Sequence, residues 1–298
     1  DKEFKTEFEN ILKRAKSDIK GVSKIVENII DEIVEDGNEA LKRHIEKFDK
    51  WIVKSDDELL ISQDSMKKAY ETLDESLKKS LHIAYERIKA YHEKQLPKSW
   101  IDFEENGTIL GQKVTAVDRA GLYIPGGKAA YPSSLLMNAI PAKVAGVKEI
   151  VVCTPTPNNE VNELLLAACH LCGVSKVYKV GGASAIAAMA YGTKTIPKVD
   201  VITGPGNIFV ATAKKMVFGE VNIDMIAGPS EIGILADESA KANYIAIDLL
   251  SQAEHDEMAS SILITTCNNL AKNTSKEVDN FLSNLSSYVI AIKSIDER

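Results

Sequence analysis

KVDVITGPGNIFVATAKK, residues 198–215, carries three structural signals in one stretch. Val199, Val201 and Ile202 make a short apolar run of the kind expected for a strand buried on both faces. Gly204-Pro205-Gly206 stops that run, and Asn207 opens a segment of small and apolar residues with helical character. Strand, glycine turn and helix in this order are the building unit of an open parallel sheet.

The same unit recurs on either side. Tyr123-Ile124-Pro125-Gly126-Gly127-Lys128 follows a strand, and Gly181-Gly182-Ala183-Ser184 follows KVYKV. From about residue 107, further β-rich runs (TILGQKVTAVDRAGLYI, EIVVCT, IGILA, SILITT) alternate with small-residue helices such as AAYPSSLLMNAIPAKVAGV, NELLLAACHLC, ASAIAAMAYG and YIAIDLLSQAEHD. The expected architecture is α/β, a largely parallel sheet with helices on both faces and ligand crevices at the carboxyl ends of its strands. A helix start with free N–H groups favours anions, a dinucleotide pyrophosphate among them. Taken singly, each turn is accounted for by the conformational freedom of glycine. The G-x-G-x-x-G fingerprint is absent, because GPGNIF has Phe209 where the third glycine belongs.

Residues 1–100 are a different kind of chain. They hold 20 basic and 22 acidic side chains but only two of the 17 glycines. Leu73, Leu77, Leu81, Ala84, Ile88 and Tyr91 recur at spacings of three and four, which predicts a long amphipathic helix ending before Pro97. Asp36 and Glu39 have the spacing of a capping box for the following helix. His44, His82 and His92 have no metal-ligand partner at helical spacing and read as surface or boundary residues. The domain reading is a helical region over 1–105, a first Rossmann-like domain over 106–235, and over 236–298 the start of a second α/β domain or a return segment.

Composition narrows the function classes. The 298 residues are 45% apolar with a formal net charge of −7, so no overall field attracts nucleic acid or an anionic membrane. No apolar run reaches the length of a membrane span and the amino terminus is charged, so a soluble cytoplasmic protein is expected. Four irregularly spaced cysteines fit a reducing compartment. Cys153 and Cys267 fall at strand ends, and Cys169 and Cys172 flank His170 in an apolar helix. They read as core packing, and their main rival role is a thiolate nucleophile of the aldehyde dehydrogenase type.

Ser251-Gln252-Ala253-Glu254-His255-Asp256 ends a helix that starts near Lys241. Gln252 and His255 are three apart, share one helical face and make an acceptable half-set for zinc, which takes about four ligands. On spacing alone, a histidine at a helix end is more often a hydrogen-bonded boundary residue. Ser230, between Pro229 and Glu231, joins two apolar strands on the crevice side.

In order and spacing, AGLYIPGGKAAYPSSLLMNAIPAKVAGV, KVGGASAIAAMAYGT, VDVITGPGNIFVATAKK, IDMIAGPSEIGILAD and DLLSQAEHD resemble the histidinol dehydrogenase family, from about residue 20 to the end. The resemblance implies two incomplete Rossmann-like domains and an intertwined homodimer. It also implies a zinc enzyme of histidine biosynthesis that oxidises L-histidinol through L-histidinaldehyde to L-histidine, reducing two NAD. Position by position, it assigns Tyr123 and Asn207 to NAD, Ser230 to substrate, and Gln252 and His255 to both zinc and substrate. Ser184 stands where the family's third cofactor contact is usually a glutamine.

The family's general bases are an adjacent Glu-His pair in a Pro-Glu-His-Leu-Glu block, and no such block occurs in these 298 residues. The resemblance places that pair and two further zinc ligands beyond Arg298, so the chain reads as the amino-terminal part of such an enzyme, inactive alone. The non-enzyme alternative is a truncated relative acting as an NAD or substrate binding or regulatory module.

Overall fold

The computed structural model describes residues 19–126, 132–226, 230–255, 259–285 and 288–297. Gly127 and Lys128 of the first glycine turn, Pro229, Asp256 and Arg298 lie outside the described residues. Internal contacts divide the chain into two units, Asp1–Ile226 and Ala227–Arg298.

The first unit begins with helices α1 (Ile19–Asp36) and α2 (Asn38–Asp49), a short edge strand β1 (Leu60–Ile61), and helices α3 (Gln63–Glu71) and α4 (Glu75–Glu93). A hairpin of β2 (Trp100–Phe103) and β3 (Ile109–Gln112) follows. The alternating part then runs β4 (Arg119–Tyr123), α5 (Pro132–Val144), β5 (Glu149–Cys153), α6 (Glu163–Cys172), β6 (Lys176–Tyr178), α7 (Gly182–Tyr191), β7 (Val201–Thr203), α8 (Ile208–Val217) and β8 (Asn222–Ile223). The sheet order is β1-β6-β5-β4-β7-β8, all parallel except the antiparallel edge strand β1. From β4 the chain steps outward through β5 to β6, then returns across the sheet to β7 on the other side of β4. The strand order therefore reverses between β4 and β7, and such a reversal opens a crevice at the strands' carboxyl ends.

Both faces of this sheet are buried. Along β5, Ile150 and Val152 enter one core, and Val151 and Cys153 the other. The period-2 pleat sends a continuous apolar run to both sides in this way. One core is closed by α1, α2, α7 and α8, and the other by α3, α4, α5 and α6. In α1 the buried stripe is Val26, Ile29, Ile30 and Ile33, at helical spacing. The described helices of the charge-rich first third thus pack on both faces of the sheet, and its β1 supplies one edge.

The second unit is a smaller βαβ arrangement. Parallel strands β9 (Glu231–Leu235) and β10 (Ser260–Ile264) are connected through α9 (Ala242–Ala253), with α10 (Asn268–Leu282) and α11 (Tyr288–Glu297) after them. Leu250, Ala253, Leu282 and Ala291 form its core. The α/β class with parallel pairing is as expected from the sequence.

Three local expectations are corrected. Asp36 ends α1 and bonds Arg43, while α2 starts after Gly37 with no side-chain cap, so the Asp36/Glu39 box is not made. The long helix is α4, capped by Asp74 through the N–H groups of Ser76 and Leu77. Leu73 precedes it, and Leu77 and Tyr91 are exposed, so only Leu81, Ala84 and Ile88 of the predicted stripe pack inward from the helix. His44 is buried rather than peripheral, because α2 lies against the start of α7.

Candidate functional site

The carboxyl ends of β4 and β7 meet closely. A Cβ on Gly204 would stand 2.0 Å from the carbonyl oxygen of Tyr123, and Gly204 holds φ at +119°. No other residue type fits this turn without moving one strand end. Beyond it, Asn207 caps α8, its Oδ1 accepting from Phe209 N–H (3.1 Å) and Val210 N–H (3.2 Å). With Oδ1 occupied, the exposed side chain still has its amide NH₂ to donate.

Tyr123 ends β4 and is buried. Its hydroxyl accepts from Gly182 N–H at 3.2 Å, at the first residue of α7. Burial raises the phenol to about 12, so it stays protonated at neutral pH and has one proton to donate. No side chain caps α7. Gly182 sits at φ +63° with open space where a Cβ would project. This is a helix start that a ligand's negative group can approach.

Ser184, in the first turn of α7, is buried, and its Oγ lies 2.8 Å from His44 Nδ1. His44 Nε2 lies 3.0 Å from Glu32 Oε2. A carboxylate only accepts, so Nε2 carries the imidazole proton and Nδ1 takes the serine's. The Ser184 hydroxyl is thereby committed to His44, which burial holds below its ordinary pKa despite Glu32.

Two buried hydroxyls at strand ends, Thr203 Oγ1 on β7 and Thr154 Oγ1 after β5, meet no hydrogen-bond partner among the described residues. Buried polar groups without partners carry a desolvation cost. Neither threonine stands out in the sequence, since an end-of-strand Thr is ordinary for its β propensity.

In the second unit, Ser230 precedes β9, is exposed, and its carbonyl accepts from Ser260 N–H (3.2 Å). Gln252 lies in the last turn of α9 and is half-buried. His255 is exposed just past the helix, its N–H bonded to Gln252 O at 3.1 Å, which carries the helical path through it. Gln252 and His255 offer two donors. Among the described residues no group of three or more His, Cys, Asp or Glu side chains could hold a metal ion. This pair alone does not fit zinc, which needs further ligands to complete its shell.

Cys153, Cys169 and Cys172 are buried, and burial pushes all three thiols up, Cys172 to about 12. A thiol so placed is not an activated nucleophile. No helix among the described residues is long and apolar enough to cross a membrane.

The model of the histidinol dehydrogenase family matches residues 12–298. This chain belongs to that family. It is 71% identical over 295 residues to histidinol dehydrogenase from Sulfurimonas denitrificans, covering 99% of this chain and 69% of the relative. With the Wolinella succinogenes protein the identity is 67% over 296 residues, covering 99% and 68%. The crystal structure of histidinol dehydrogenase from Elizabethkingia anophelis superposes with a TM-score of 0.80 at 36% identity, covering 91% of this chain and 62% of that chain. The chain thus spans about two thirds of the length of these family members.

Proposed function

We propose that this chain supplies the dinucleotide-binding framework of a zinc- and NAD-dependent oxidation of L-histidinol, through L-histidinaldehyde, to L-histidine. The observation that supports the reading is the strand-order reversal between β4 and β7, where Tyr123 ends β4 and the Asn207 cap follows β7, with the Tyr123 hydroxyl bonded to the open start of α7. NAD, when bound, accepts hydride from the carbon being oxidised. Tyr123 would donate a hydrogen bond from its hydroxyl, which keeps its proton, to an acceptor on the dinucleotide. Asn207 would donate from its side-chain NH₂ while its oxygen keeps α8 capped, and the α7 start would offer its free N–H groups to the negative part of the dinucleotide. Ser184 is the weakest of the three cofactor residues: its proton is held by His44, which leaves it only an acceptor.

In the second unit, Ser230 and the Gln252/His255 pair are the residues for the substrate's amine and imidazole, with Gln252 and His255 as zinc donors. Hydride transfer also requires a base for the hydroxyl proton. The Pro-Glu-His-Leu-Glu block that supplies it in the family is not among these 298 residues. A homodimer of the full-length form in a cytoplasmic setting completes the reading. The alternative is a binding or regulatory module without turnover.

Incubation of the purified 298-residue protein with L-histidinol, NAD and zinc separates the parts of this reading. NAD binding without NADH release is expected, and adding zinc changes nothing. Zinc-dependent NADH production by this chain would overturn the assignment of the bases outside it.

A further inference from the structure

Lysine is rarely buried, yet Lys214 on α8 is 3% exposed. Its side chain runs back toward the helix start, as helical geometry directs, and Nζ donates to the carbonyl oxygen of Gly204 at 3.0 Å. The same ammonium pairs with Asp224 Oδ1, and Asp224 Oδ2 accepts from Gly204 N–H at 2.9 Å. One ion pair therefore holds both backbone polar groups of Gly204, the residue already pressed against Tyr123. Two features argue against a purely stabilising role. A cation beneath a helix N-terminus is unfavourably placed in the helix dipole, and Lys214 is taken out of water while Asp224 stays partly exposed, so the lysine's desolvation offsets much of the attraction. What such a pair does supply is a fixed geometry.

We infer that Lys214 and Asp224 are positioning residues for the dinucleotide site: by clamping Gly204 from beneath, they fix where the turn delivers Asn207 and the start of α8. Neither side chain is assigned a ligand contact. The inference rests on the reading of this turn as a dinucleotide contact.

The test is the double substitution K214M/D224N in the 298-residue chain. It removes both charges, while the asparagine oxygen still accepts from Gly204 N–H. Thermal unfolding, NAD titration by calorimetry, and amide hydrogen exchange at Gly204, Phe209 and Val210 are measured together. The clamp predicts a melting temperature within about 5 °C of the parent. It also predicts faster exchange at those three amides and about tenfold weaker NAD binding, the scale expected when a turn shifts by a fraction of an ångström. If the double variant fails to fold, K214M alone carries the test, because the partly exposed Asp224 still accepts from Gly204 N–H, with smaller changes in the same directions.

Unchanged exchange at the three amides overturns the clamp whatever NAD does. Faster exchange with unchanged NAD binding also overturns it, provided N207A weakens binding. If N207A leaves binding unchanged as well, or the parent binds no NAD, the cofactor reading of this turn fails and the inference falls with it.

Discussion

The turns after β6 and after β7 look alike in sequence: each ends a β-branched run with two glycines and opens a small-residue helix. The structure holds them by different means. The turn after β7 is locked from three sides, by the Tyr123 backbone, by Asp224 and by Lys214, and its helix carries its own cap in Asn207. The turn after β6 is open at Gly182 and its helix has no side-chain cap. It is tied down from within by Tyr123 Oη and by the Ser184–His44–Glu32 chain. One turn is built as a rigid fixture, the other as an open, uncapped helix start.

Alanine at the two glycines breaks this comparison most sharply. Gly204→Ala puts a Cβ on the Tyr123 carbonyl, and urea unfolding should show a loss of more than about 3 kcal/mol, or no folded protein. Gly182→Ala meets nothing within 4 Å and is opposed only by φ +63°. Its loss should be about 1 kcal/mol, with the larger effect on NAD affinity. Equal losses at the two sites would end the distinction.

The inner tie of the α7 turn is tested next. His44→Ala leaves the buried Ser184 hydroxyl without its partner, while Glu32 keeps Arg43, and should cost about 1–3 kcal/mol at pH 7.5. The pH dependence has a definite sign. Because burial lowers the His44 pKa below its ordinary 6.5 in the folded state, the unfolded chain takes up the proton first. The stability from His44 is therefore complete above pH 6.5 and declines as the pH falls below it. The gap between parent and His44→Ala should narrow from about pH 7.5 to about pH 5.5, and a gap that widens would contradict the neutral, Ser184-accepting imidazole. The smallest effect on stability belongs to Asn207→Ala, about 1 kcal/mol for a lost cap. Its loss of NAD affinity should be proportionately larger.

Much of this was legible in the sequence because strong periodicities carried it. Continuous apolar runs such as Ile150–Cys153 announced strands buried on both faces, and the Gly181-Gly182 and Gly204-Pro205-Gly206 turns fell at strands' carboxyl ends. Pairing order was not legible: nothing in KVDVIT says that β7 lies beside β4 rather than β6, and that placement creates the crevice. The Asp36/Glu39 spacing misled, because Arg43 competes for Asp36 and Gly37 starts the next helix at once. His44 reads as a surface or boundary residue, and nothing in the sequence marks Lys214, since their roles depend on partners 140 and 10 positions away. Tyr123 and Asn207 are assigned to the cofactor through family resemblance alone, and local chemistry gives each a donor group for that role.

The central claim is that the dinucleotide sits where the strand order reverses between β4 and β7. Amide chemical-shift mapping during titration of the isotope-labelled 298-residue protein with NAD tests it most directly. The account predicts saturable shifts concentrated at Tyr123, Gly181–Ser184 and Gly204–Val210. Saturable shifts elsewhere in the chain with these amides unmoved, or no shifts at all, would contradict it.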